Sequence, residues 1–162
     1  MAYRAVPFAN VVAQSETDAG RDAHLRHNDL RAERAAVAAF AAFRERHYDP
    51  YLQYAALRIG HFGAAERAVA AAFTELAVSW TVVLGSSGPA AVAWAILHDH
   101  IDQALDGQLR SCPFSRPVRS LHLEAQVLHR RLQLSSERVA EVLGIPVEDV
   151  WGLLPSVGTP KE

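Results

Sequence analysis

Along the middle of the chain, Val37, Phe40, Phe43, Tyr48, Tyr51, Leu52, Ala55 and Ile59 recur at intervals of mostly three and four. That spacing lines one face of a helix, whereas a strand needs a period of two. The one β-branched cluster, "TVVL" at 81–84, is too short to argue for a sheet, and no stretch of the chain repeats. The sequence therefore predicts an all-α protein. Half of its 162 residues are apolar, enough to bury a core.

The helices can be placed by their punctuation. Residues 1–35 have mixed charge, with "SETDAGRD" as a turn-like stretch, and read as a mobile N-terminal arm running into a helix. Pro50 interrupts the apolar run and predicts a kink or a fresh helix start. "GHFGAAE" (60–66) is a turn, Ala64 to Trp80 a second helix of high propensity, and "LGSSGPAA" (84–91) its end. Ala90 to Leu105 makes a third helix and completes a helical domain over 36–106. "DGQLRSCPFSRPVRS" brings one glycine, two prolines and three arginines, which suits a linker over 107–120. Helices are then expected at Leu121 to Leu132, Ser135 to Leu143 and Val147 to Leu154, in a second small domain over 121–155 with a tail at 156–162.

Charge is distributed unevenly. The formal net charge is −2, which is not that of a body held to nucleic acid through phosphates. Residues 36–106 carry four arginines against seven acids, while 107–162 carry seven basic residues against six acids. Cys112 is the single cysteine, so no intrachain disulfide can form, and a reducing cytoplasm is the expected home. No apolar run near the N-terminus has signal-peptide character. "AVAAAFTELAVSWTVVLG" (68–85) is the most membrane-like run, but Glu75 near its middle and its length favour a buried helix over a span.

"LSSERVAEVLGIPVEDVW", residues 134–151, is the most informative stretch. Ser135 or Ser136 can cap a helix, Gly144 can end it in the left-handed conformation, and Pro146 suits the start of the next. Val139, Ala140 and Leu143 are then expected to face Ile145, Val150 and Leu153. Two short helices over a glycine turn make either a helix-turn-helix or an ordinary helical hairpin with the same capping chemistry. With the residues that follow, the stretch resembles the region-four helix-turn-helix of bacterial sigma factors, whose pattern runs Leu-Ser-x-x-Glu-Ile-Ala-Glu-x-Leu-Gly-Ile.

A second resemblance lies upstream in the right order. "AFAAFRERHYDPYLQYAALRIGHFGAAERAVAAAFTELAVSW" (39–80) is similar to region two of the extracytoplasmic-function sigma factors, matching at Phe43, Tyr48, Tyr51, Leu52, Ala55, Arg58, Gly60, Ala65, Glu66, Val69 and Phe73. "AAVAWAILHDHIDQAL" resembles the helix that follows there. Its register can be set on Trp94 or on Asp102, and Asp102 keeps Ile96 and Ile101 near aliphatic positions.

The resemblance implies a polymerase-binding face on Ala64 to Trp80, carried by Glu66, Arg67, Ala70, Phe73 and Leu76. It implies a promoter-melting helix from Ala90 to Leu105, with Trp94 and His98 toward DNA. Upstream promoter reading would fall to Val147 to Leu154 through Glu148, Asp149 and Trp151, supported by Arg130, Arg131 and Arg138. Core RNA polymerase is the implied partner, with promoter DNA and an anti-sigma or other regulatory protein as further ones. The chain would be no enzyme by itself and would use no cofactor, metal, membrane or small-molecule substrate.

Each implied surface departs from the family. Ala70 and Ala71 replace its polar pair, and Leu97 and His98 replace its Arg-Asn, leaving Asp99, Asp102 and Asp106 where a strand must be captured. The recognition helix offers Glu148, Asp149, Trp151 and Gly152 outward over two turns, roughly 12 Å, and Pro155 stops it. Carboxylates can accept from a cytosine amino group but do not hold a helix on phosphates. Two functions follow: a sigma-like factor that directs polymerase to promoters, or a sigma-derived interaction protein that binds polymerase or a regulator without reading DNA. Arginines converging from the linker and supporting helices, Arg110, Arg116 and Arg119 with Arg130, Arg131 and Arg138, would favour the first.

Other chemistry is poorly supported. His98 and His100 point roughly 200° apart on a helix, and His24 and His27 have ligand spacing without an identifiable third ligand. Cys112 has no adjacent base. Trp80, Trp94 and Trp151 could stack on unpaired bases, but tryptophans at helical spacing from apolar neighbours are more often core.

Overall fold

A computed structural model describes residues 9–109 and 120–154, without the side chains of 9–24 and 107–109. The described residues contain helices and no strand: α1 (Ala9–Ile59), α2 (Phe62–Leu84), α3 (Pro89–Leu109), α4 (Leu121–Gln126), a π-helical turn (Val127–Arg131), α5 (Ser136–Leu143) and α6 (Val147–Leu153). The all-α expectation is met. The chain divides into two compact units, Met1–Ala39 and Phe40–Glu162. The two helical groups expected on either side of 107–120 therefore lie in one unit.

In the first unit the backbone is already helical from Ala9, within the stretch expected to be an arm, and Leu25, Leu30 and Val37 are exposed. The rest of α1, from Phe40 to Ile59, belongs to the second unit. It runs through Pro50 without a break, where the sequence predicts a kink or a new start. A proline inside a helix removes the N–H that would bond the carbonyl four residues back, here that of Arg46. That carbonyl is occupied from another helix: the Arg138 guanidinium of α5 donates to it. Pro50 is itself buried, so the turn that carries it is held by packing.

Aromatic rings join α1 to α2 and α3. Phe43 meets Trp80 at 5.1 Å, Tyr51 meets Phe73 at 5.7 Å, and Tyr54 meets Trp94 at 4.7 Å between centroids. Tyr51, Tyr54, Leu97 and Ile101 are almost wholly buried. Each fully buried side chain of this size contributes roughly 1.5–3 kcal/mol of transfer free energy, so this layer is a substantial apolar source of stability.

α2 begins at Phe62, where the His61 side chain accepts from the Ala64 amide at 3.2 Å. It continues four residues past Trp80, because Val83 reaches the core and the turn at 85–88 stops it. By length and composition α2 could cross a membrane, the one described helix of which this is true. Ala65, Val69, Phe73, Leu76 and Trp80 on its inner face are buried in this fold.

The second helical group is seated on α3. Gly144, at φ +68°, ends α5 in the left-handed conformation, and a Cβ there would collide with the Ala91 amide nitrogen. Only a glycine lets the turn lie on the first residues of α3. The expected Leu121–Leu132 helix is instead α4 followed by the π turn, in which Leu132 N–H reaches back five residues to Val127 at 3.2 Å. Most of 107–120, including Cys112, lies outside the described residues.

Candidate functional site

The helix–turn–helix pair is built as its punctuation predicts. Ser135 caps α5 by accepting from the Arg138 amide at 3.3 Å, and the Ile145 amide returns to the Ala140 carbonyl at 3.1 Å across the Gly144 turn. Val139, Ala140, Leu143 and Val150 are buried, joined by Val142. Ile145 and Leu153 are half-buried. This arrangement leaves Glu148, Asp149, Trp151 and Gly152 on the outer side of α6, with Trp151 58% exposed. The two carboxylates lie in the first turn of α6, where they favour the positive end of the helix dipole.

Among the described arginines, Arg138 is drawn away from that face. Arg138 turns toward α1: besides its bond to the Arg46 carbonyl, it forms an ion pair with Glu141 at 2.7 Å. Arg46 clasps the same carboxylate with Nε and Nη2, the latter at 2.8 Å. Glu141 is thus shared by two guanidiniums, one from α1 and one from α5. Desolvation first, and then the nearby Arg46, pull the Arg138 guanidinium below its usual range, with Tyr51 acting in the opposite sense. Arg138 has 23% of its side chain exposed and is committed to the seam. Arg130 and Arg131 are exposed on the π turn just before α5. Arg110, Arg116 and Arg119 lie outside the described residues.

The expected promoter-melting residues are in the core. Trp94 is 5% and His98 2% exposed, so neither offers a face to an unpaired base in this fold. Trp94 Nε1 donates to Glu124 at 2.8 Å, and His98 Nε2 lies 3.4 Å from the other oxygen of the same carboxylate. This buried carboxylate escapes the sequence reading, because its neighbours Leu121 and Leu123 are apolar and yet exposed. The register alone could have found it: an α4 face containing Ala125 and Leu128 also contains Glu124.

The expected polymerase face of α2 divides in the same way. Glu66, Arg67 and Ala70 are exposed, while Phe73 and Leu76 are buried and serve the core. The outer apolar residues are Val78 and Val82, at 86% and 78% exposure. Their positions about 200° from Leu76 and Trp80 on the helical wheel are a signal present in the sequence.

Among the described residues no group of three or more histidine, cysteine, aspartate or glutamate side chains could hold a metal ion. His100 pairs with Glu75 at 2.9 Å, while His98 is buried against Glu124. The fold and the site define an all-α protein carrying a helix–turn–helix pair with an acidic, aromatic outer face. No protein family, no curated protein and no solved structure matches the chain.

Proposed function

We propose that the chain is a sigma-derived interaction module of the cytoplasm, which binds core RNA polymerase or a protein that regulates it and does not read promoter DNA. The observation that carries this reading is the outer face of α6, where Glu148, Asp149 and Trp151 are exposed while Arg138 is drawn away to α1. Such a face repels phosphates and releases no counterions on approach to DNA. An exposed tryptophan flanked by carboxylates suits a protein surface with an apolar notch and basic rim.

A second reading, a sigma-like factor that directs polymerase to promoters, draws on Arg130 and Arg131, exposed immediately before α5. Two arginines could neutralise two phosphates beside a helix-turn-helix, though without a basic recognition helix to place them. Co-purification with core polymerase, followed by run-off transcription on genomic fragments, separates the two. Polymerase binding without initiation supports the interaction module. Specific initiation supports the second reading and overturns the first.

A further inference from the structure

His47 is 4% exposed on α1, at the seam with α5. Its Nδ1 lies 2.9 Å from the Phe43 carbonyl, its ring stacks on Phe43 at 4.0 Å, and it meets Tyr51 at 5.6 Å. A carbonyl can only accept, so Nδ1 carries the hydrogen and Nε2 of the neutral ring is a bare lone pair. Nε2 is buried and has no hydrogen-bond partner among the described residues, and the same is true of the Tyr51 hydroxyl.

Among the described residues, the charged and titratable groups facing the ring are Arg46 and Tyr51 from α1 and Arg138 from α5. Trp80 of α2 closes on Phe43 and Trp94 of α3 on Tyr51, neither adding charge. Arg46 and Arg138 already share the single carboxylate of Glu141. A proton on Nε2 would place a third cation in this seam with nothing to receive its hydrogen.

We propose that His47 is a proton-sensitive latch of the α1–α5 seam: neutral, it lets Arg46 and Arg138 close on Glu141; protonated, it loosens that grip and with it the hold of α5 on α1, while α5 keeps its seat on α3. Burial first, and Arg138 and Arg46 after it, hold the imidazole below its ordinary value of 6.5, against the opposing bond to Phe43. For a histidine whose folded value is depressed, the docked state is fully favoured above 6.5 and loses stability as pH falls from there toward the folded value. Loosening would also uncover Arg138, so a mildly acidic shift changes the face that α5 and α6 present.

The test is amide hydrogen exchange in α5 of the full chain at about pH 7.5 and about pH 5.5, corrected for the intrinsic rate, on both sides of the ordinary histidine midpoint. Wild type should lose protection by roughly fivefold at the lower pH, and His47→Phe should show no such loss. An equal loss in His47→Phe, or none in wild type, overturns the latch. The NMR titration of the His47 ring in wild type decides independently of whether the variant folds. A midpoint below 6.5 supports the latch, and one at or above 6.5 overturns it.

Discussion

Arg138 donates to the carbonyl of Arg46, the α1 carbonyl whose partner amide is missing because Pro50 stands four residues on. A local defect in one helix is thereby made into the socket for another. Replacing Pro50 with Ala restores the amide and should raise helix stability while taking the acceptor from Arg138. In a double-mutant cycle with Arg138→Met, read by urea unfolding, the pair should show coupling of about 1 kcal/mol. Strictly additive effects would show that the carbonyl and the guanidinium do not depend on the proline.

Gly144 and Gly60 have nearly the same positive φ, +68° and +74°, but a Cβ at Gly60 meets nothing within 4 Å. Gly60→Ala should cost about 1–2 kcal/mol, the left-handed penalty alone. Gly144→Ala carries that penalty and also drives the turn off Ala91, so it should cost about 2 kcal/mol more. Thermal unfolding of both variants checks the difference, and equal losses would remove the close approach to α3 from the account.

Glu124 satisfies Trp94 and lies against His98 inside the protein. Glu124→Leu should destabilise by about 2–3 kcal/mol by stranding buried donors, whereas Glu124→Gln, which keeps an acceptor, should lose less. Chemical denaturation followed by tryptophan fluorescence provides the measurement.

At high pH, Tyr54 supplies a second linkage. Burial pushes its phenol up to about 12 from 10, despite the opposing effect of Arg58, which donates to its hydroxyl at 3.0 Å. The folded state then holds its proton more tightly than the unfolded chain, so stability present below pH 10 should fall as pH rises from 10 toward 12. Tyr54→Phe should flatten that decline in pH-dependent unfolding curves.

Much of the fold is legible in the sequence, because capping and periodicity are local properties. Ser135, Gly144 and Pro146 mark the turn between two helices wherever that pair docks, and the 3.6-residue period places Tyr51, Ala55, Ile59 and Val139 inside. Pro50 misleads because its cost is offset by Arg138, which lies 88 residues away in sequence. The site is less legible for a similar reason. Trp94, His98, Phe73 and Leu76 have the residue types of binding surfaces, but their exposure depends on what α1 and α4 lay over them. Glu124 looks like a solvent-facing acid until Trp94 is seen to donate to it.

The most direct measurement is fluorescence anisotropy of duplex DNA titrated with wild type and with the Glu148→Lys/Asp149→Lys variant across a salt series. Both substituted residues are on an exposed face, so folding should change by no more than about 0.5 kcal/mol. Wild type should show no salt-dependent binding, and the variant should gain affinity that falls by about one logarithmic unit per phosphate neutralised for each tenfold rise in salt. Wild-type binding that is tight at low salt and falls steeply as salt rises would contradict the proposed function.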